Sequence, residues 1–300
     1  MIDPRLIDVS PTLHDGYPEW IQKRDTRDVL CSMARDAGSV VTDFPSHLWI
    51  EPRDWPRFSL QNDANRTWPL DYIDRYTNQG AGNGGYSTHE CTTHAFRSVF
   101  EAAWNRQRRI PLGPPVPGKR LDTSATSASV WISCLSLYAE ANPQQWGGAG
   151  VRQILSIAAR RGCLPDKIQP RQYSFQHSLH GTCGAGGINQ SRGPWLRVSQ
   201  FPGGWQETAK HFRPLEYIFP ASWEETVCLV LHGYSVGVGR QGHAIPYVRW
   251  IPEDNVMAYV DSYDVMRYDS ISRIKSTVGG SYAIVSTTVP DNYDQPTQEE

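Results

Sequence analysis

The chain has 300 residues, 39% of them hydrophobic, and a formal net charge of -2. That is enough apolar material for a sizeable core in one domain or two closely packed subdomains, and the near-neutral balance carries no electrostatic footprint for nucleic acid. No apolar run is long enough to span a bilayer, and the opening "MIDPRLIDVSPTL", with early acids and a proline, does not read as a secretory signal, so a soluble protein of the cytoplasm or of an assembled particle is expected.

Residues 1–76 read as an N-terminal extension, rich in Asp, Arg, Pro and Trp as in "HLWIEPRDWPRF", with weak helix signals. Such a segment suits a propeptide, a wrapping arm or a docking surface for a protein partner. The next stretch, "NQGAGNGGYSTHECTTHAF", passes from a glycine-rich loop into a helical pattern. From there Cys91, Ala95, Phe96, Val99, Phe100, Ala103 and Trp104 recur at steps of three and four. "GPPVPG" breaks the chain. A second helical pattern sets Trp131, Cys134, Leu135 and Tyr138 on one face. A third carries Val151, Ile154, Leu155 and Ala158, with Gly162 where a C-cap glycine belongs. Residues 165–220 are loop-rich. "SWEETVCLVLHGY" reads as a helix opened by a capping box of Ser222 and Glu225 and stopped by Gly233. Strands follow: "YSVGVGR", "HAIPYVRW", "VMAYVDSY" and "YAIVSTTV", with Glu253, Asp254 and Asn255 as a turn between two of them. Residues 291–300 form an acidic tail of disordered composition. Helices first and strands later predict an α+β fold, with a helical half over about 77–165, an antiparallel β half over about 166–290, and a cleft between them.

Six cysteines occur with no C-x-x-C pair, so neither a disulfide framework nor a zinc finger is expected, and most should be packing residues. "HSLHGTC" brings His177, His180 and Cys183 into metal-ligand spacing, but no fourth ligand stands near. "GAGGINQSRG" lacks the strand and helix that would make it a phosphate cradle and reads as a loop. No metal and no cofactor is expected. Arg106 to Arg109 form a small basic knot that suits a solvated helix end.

Two places carry chemistry. Cys91 sits where a glycine-rich loop becomes a helix, and free N–H groups at a helix start favour a thiolate. His243 heads one strand and Asp261 ends the next, eighteen residues on, so a hairpin brings them together. A carboxylate beside an imidazole fixes its tautomer and stabilises its charged form. The plainer reading makes His243 a satisfied structural histidine. His94, three residues after Cys91, shares its helical face and reads as a core or surface histidine.

The order Cys, His, Asp, with helices before strands, resembles the papain-like cysteine peptidases over about residues 77–290. "NQG" followed by "CTTHAFRSVFE" is similar to that family's nucleophile segment. "WGGAGVRQILSIAARRGCLPD" is similar to its Gly-Gly substrate strand and following helix, and "LVLHGYSVGVGR" to the helix and strand before its histidine. "GHAIPYVRW" and "DSYD" correspond to its histidine strand and its N-S-W-G segment. The resemblance implies Cys91 as nucleophile, His243 as general base and acid, and Asp261 orienting His243 where the family most often has Asn. It further implies Gln79 as an oxyanion donor beside the Cys91 N–H, and Gly147 and Gly148 as backbone contacts for an extended peptide. Transglutaminase-like and cell-wall amidase folds run the same residue order.

Departures leave two alignments open. Gln79 and Cys91 are twelve apart, whereas the family spacing would put the cysteine at Gly85. Either the loop carries an insertion and Cys91 is the nucleophile, or Gly85 replaces it and the chain is a non-catalytic module for binding or assembly. The apolar face is phased from Cys91 onward, whereas "YSTHE" is polar, which favours the first. Glu90 beside the thiol opposes it. Tyr263 stands in place of the family's tryptophan, and Pro246, which cannot donate to a ladder, calls for an edge or a bulge in the histidine strand.

Overall fold

The computed structural model describes residues 7–8, 31, 34, 35, 38–73, 91–108, 132–141, 149–165, 198–240, 242–262 and 265–288. Gln79, Gly85, Gly147, Gly148, Trp131, Tyr263, the His177–Cys183 cluster and the 291–300 tail lie outside the described residues. In chain order the elements are β1 (Ile7–Asp8), β2 (Val40–Thr42), α1 (Trp55–Asn65), α2 (Cys91–Gln107), α3 (Cys134–Ala141), α4 (Val151–Arg161), α5 (Trp205–Ala209) and β3 (Pro214–Ile218). They continue with α6 (Trp223–Leu231), β4 (Val236–Arg240), β5 (His243–Ile251), β6 (Val256–Asp261), β7 (Val265–Ser270), α7 (Ile271–Thr277) and β8 (Ser281–Thr287).

The class is α+β, as expected, but the strands are not a purely antiparallel block at the end of the chain. One sheet runs in the order β1-β7-β6-β5-β4-β8-β3-β2. Its inner pairs are antiparallel, while β1 joins β7 and β2 joins β3 in parallel. Both outermost strands therefore come from residues 1–76, and other described residues of the extension enter the core, Cys31 and Ala34 in the cluster around α2. Leu48, Ile50, Trp55, Trp68, Leu70 and Ile73 cluster with α6 and with Tyr247, Trp250 and Tyr259 of the sheet. Trp55 meets Trp223 and Trp250 edge-on, each at 5.5 Å between ring centroids.

Helix α1 escaped the apolar-periodicity test because its buried face is largely polar. Trp55, Ser59 and Asn62 fall at i, i+4 and i+7 and are buried. Asn62 Nδ2 donates to the Leu231 carbonyl at the end of α6 (2.7 Å), and its Oδ1 accepts from Thr67 Oγ1 (2.6 Å). These bonds satisfy a carbonyl that the helix itself leaves open.

Helix α2 is the central element. Fifteen of its seventeen residues are buried, so it is enclosed on every side, and its polar residues must find partners inside the protein. Phe96, Phe100, Trp104 and Phe212 form a continuous ring stack with centroid steps of 6.0, 6.1 and 5.1 Å. Arg97 Nε pairs with Glu101 Oε1 at 2.7 Å, and that oxygen also accepts the Ile132 N–H at 3.2 Å, tying α2 to the approach to α3.

The capping expected at α6 forms one residue displaced from the usual box. Ser222 Oγ accepts the Glu225 N–H, while the Glu225 carboxylate accepts from the Ala221 N–H (2.6 Å) rather than from Ser222. Gly162 ends α4 with φ +84, where a β-carbon would lie 1.8 Å from the Ala209 carbonyl oxygen, so only glycine fits. The β5–β6 hairpin turns through Asn255 in the left-handed region (φ 52). Strand β5 lies inside the sheet rather than at its edge. Its pairing with β6 shifts between Tyr247 and Arg249, directly after Pro246, and no partner on β6 pairs with Pro246 itself.

Candidate active site

Strand register decides what faces the site. The pairings Arg240 with His243, Tyr247 with Tyr259, Tyr259 with Arg267, and Asp261 with Val265 place Arg240, His243, Tyr247, Tyr259, Asp261 and Arg267 on one face of the sheet. Because β5 and β6 are joined by a short turn, the start of one and the end of the other lie side by side. His243 and Asp261 meet there: Nε2 and Oδ1 are 2.9 Å apart. The second carboxylate oxygen, Oδ2, takes Arg267 Nε at 3.0 Å. Asp261 is 4% exposed.

The first described turn of α2 packs against the head of β5. Cys91, Ala95 and Ala244 form a small apolar cluster, and the Cys91 sulfur is hydrogen-bonded to the His243 side chain. With Nε2 committed to Asp261, Nδ1 is the nitrogen left for the sulfur. Cys91 thus meets His243 from the first described turn of α2. The backbone N–H of Ala244 also points at the sulfur. Thr92 Oγ1 lies beside it too, but its single proton goes to the Ala149 carbonyl at 2.7 Å, which anchors this turn to the residues before α4.

The electrostatics follow from these contacts. Burial pushes the Cys91 thiol up, but the hydrogen bond and charge of His243, with the Ala244 N–H, outweigh it and hold the thiol below its ordinary value. Burial likewise pulls His243 down, yet the bonds to Asp261 and Cys91 raise it to about 9. Between these two limits a thiolate faces an imidazolium. The other thiols with a resolved shift behave oppositely. Burial pushes Cys163 well above the ordinary range and Cys228 up to about 11. Burial, Arg97 and His243 together drive His94 down to about 3, so it stays neutral and does not compete as the imidazolium partner.

Cys91, His243 and Asp261 are thus brought together. Gln79, Gly147 and Gly148 cannot be set against them, since they lie outside the described residues. Two members of the site had no usable sequence signal. The Ala244 N–H is backbone. Arg267 sits in an unremarked "VMRYDS" run, and only the β6–β7 register reveals it as the diagonal neighbour of Asp261. A separate hollow of about 660 Å³, lined by Asn65, Arg66, Tyr72, Ala103, Arg106, Gln107 and Val285, lies at the far end of α2. At a helical rise of about 1.5 Å per residue it is roughly 20 Å from Cys91, and it contains none of the paired groups.

No protein-family model matches the sequence, and no curated protein matches it. Among solved structures, the chain is similar to the crystal structure of xylellain, a cysteine protease from Xylella fastidiosa. The identity is 11% and the TM-score 0.48, over 72% of this chain and 83% of that one.

Proposed function

We propose that the protein is a papain-like cysteine peptidase that cleaves peptide bonds through Cys91, His243 and Asp261. The observation that carries this reading is the position of His243, bonded on one side to Asp261 at 2.9 Å and on the other to a thiol held below its ordinary range. A merely buried cysteine goes the other way, as Cys163 and Cys228 do.

In the reaction, the Cys91 thiolate adds to the carbonyl carbon of the scissile bond and the carbonyl π pair moves onto oxygen. The C–N bond then breaks as the His243 imidazolium gives its proton to the departing amine, leaving a thioester. Water, losing a proton to His243, adds to the thioester carbon, and the thiolate departs with the acyl product released as a carboxylic acid. Asp261 holds the ring and its charge through both steps. The Cys91 N–H and the Gln79 amide are the proposed donors to the transient oxyanion.

The test is site-resolved alkylation with iodoacetamide across pH 4 to 9, read by mass spectrometry. Cys163 and Cys228 are less exposed than Cys91, so the pH dependence decides rather than the bare rate. Cys91 should label well below the ordinary thiol pKa of about 8.5, and His243→Ala should abolish that low-pH labelling. New peptide termini in a denatured protein substrate, absent with Cys91→Ala, complete the case. A Cys91 profile that rises only near the ordinary thiol range leaves the fold as a scaffold, and the protein becomes a binding module.

A further inference from the structure

Asp261 is a carboxylate where a neutral amide would suffice to orient His243, and an uncompensated anion there would hold the proton on the imidazole and oppose ionisation of the thiol. The structure supplies compensation. Arg267, from the neighbouring strand β7, reaches the outer carboxylate oxygen at 3.0 Å while the inner one holds His243 at 2.9 Å. The two residues are on one sheet face, Arg267 pairing with Tyr259, two positions before Asp261. The Arg267 side chain is 46% exposed and the Asp261 side chain 5%, so the guanidinium covers the carboxylate from the solvent side.

Resting on the peptidase reading above, we propose that Arg267 is a positioning residue that fixes the Asp261 carboxylate and offsets its charge, and thereby sets the pH range over which Cys91 and His243 exist as an ion pair. The other charged groups around the imidazole have close partners of their own. From α2, His94 is kept neutral by burial, and Arg97 is paired with Glu101 at 2.7 Å. From β4, Arg240 is the register partner of His243, but its guanidinium goes to Asp269 at 3.0 and 3.1 Å and to Tyr259 OH at 3.0 Å.

The sign of the effect is fixed by the charge. Arg267→Gln keeps a polar side chain and removes the cation. The Asp261 anion then acts undiluted on both partners: imidazolium holds its proton to higher pH, and the thiol also holds its proton to higher pH. Both limits of the ion-pair range move up, by about half a pH unit for a pair as exposed as this one. Raising the salt concentration to about 1 M, where the screening length falls to about 3 Å, should shrink the shift. Arg267→Lys retains the charge and should stay near wild type.

The experiment measures the rate of Cys91 alkylation by iodoacetamide from pH 4 to 10 in wild type, Arg267→Gln and Arg267→Lys. An upward displacement of both limbs in Arg267→Gln, with Arg267→Lys close to wild type, supports the proposal. Profiles that superimpose in pH, or a loss of rate in Arg267→Gln with unmoved limbs, overturn it while leaving the peptidase reading intact. A wild-type profile with one rise in the ordinary thiol range overturns both.

Discussion

Two carboxylates lie on the same face of the sheet, eight residues apart, and each is bonded to an arginine. Asp269 is fully buried and takes both Arg240 contacts together with the Tyr247 hydroxyl at 2.7 Å. Asp261 takes one arginine at the solvent side and one histidine. Arg240 and Tyr247 do not change charge near neutral pH, so the network they form with Asp269 is a structural clasp between β4, β5 and β7. Asp261 is bonded to a group that titrates, and that group is bonded to a thiol. The same pairing of residue types therefore yields rigidity in one place and a poised proton in the other. The difference lies in the third partner and in access, since the Arg240 side chain is 7% exposed and that of Arg267 46%.

The largest effect expected of the contrast is at its reactive end. Cys91→Ala should reduce peptide hydrolysis by about 10³-fold or more. The small Cys91–Ala95–Ala244 cluster should tolerate the lost sulfur with little change in the urea midpoint. Hydrolysis that survives in a protein freed of contaminating peptidase would put the nucleophile elsewhere.

At the clasp, Asp269→Ala should behave in the opposite way. It leaves the Arg240 cation buried without its anion, a loss that typically amounts to about 3–5 kcal/mol, measurable by chemical denaturation. In whatever fraction remains folded, the pH profile of Cys91 alkylation should not move. If Asp269→Ala shifts that profile as Asp261 variants do, the two networks act as one and the division between them fails.

A further effect is set by pH. Because His243 is raised to about 9, the imidazolium proposed to protonate the leaving amine is present below that value and is lost as pH rises through it. Because the Cys91 thiol is lowered, its thiolate appears below the ordinary thiol range as pH rises. A plot of kcat/KM against pH should therefore be bell-shaped, with its alkaline limb near 9 and its acid limb below it. An alkaline limb near the ordinary imidazole value of about 6.5 would mean that Asp261 does not support the charge.

How much of this was readable in advance depends on which physical signal each part leaves. Helices α2, α4 and α6 announce themselves by spacing and caps, and β4, β5, β6 and β8 by β-branched and aromatic runs. Helix α1 hides because Ser59 and Asn62 do the burying. Strand β3 opens on Pro214, which reads as a breaker. The edge strands β1 and β2 are two and three residues long, too short for any period, and their parallel pairing is a tertiary fact. The site divides in the same way. Cys91, His243 and Asp261 follow from chain order and a hairpin, whereas Arg267 and the Ala244 N–H require register and packing. The clasp at Asp269 left no motif, because Arg240, Tyr247, Tyr259 and Asp269 are drawn from four strands.

The smallest expected effect is the most discriminating. Asp261→Asn keeps a side-chain carbonyl that can accept from Nε2–H, so His243 stays oriented, and Arg267, half exposed, loses its anion at little cost because water can take its place. What disappears is the charge. The imidazolium then gives up its proton more readily and the thiol ionises more readily, so both limbs of the Cys91 profile should fall, by about one pH unit. That displacement is opposite in sign to the one expected for Arg267→Gln. At a pH between the limbs, hydrolysis should remain within about tenfold of wild type, since orientation is retained and only part of the electrostatic support is gone. A fall in rate far beyond tenfold with unmoved limbs would show that the carboxylate acts through geometry that an amide cannot reproduce. Asp261 would then be a second clasp, differing from Asp269 in position but not in kind.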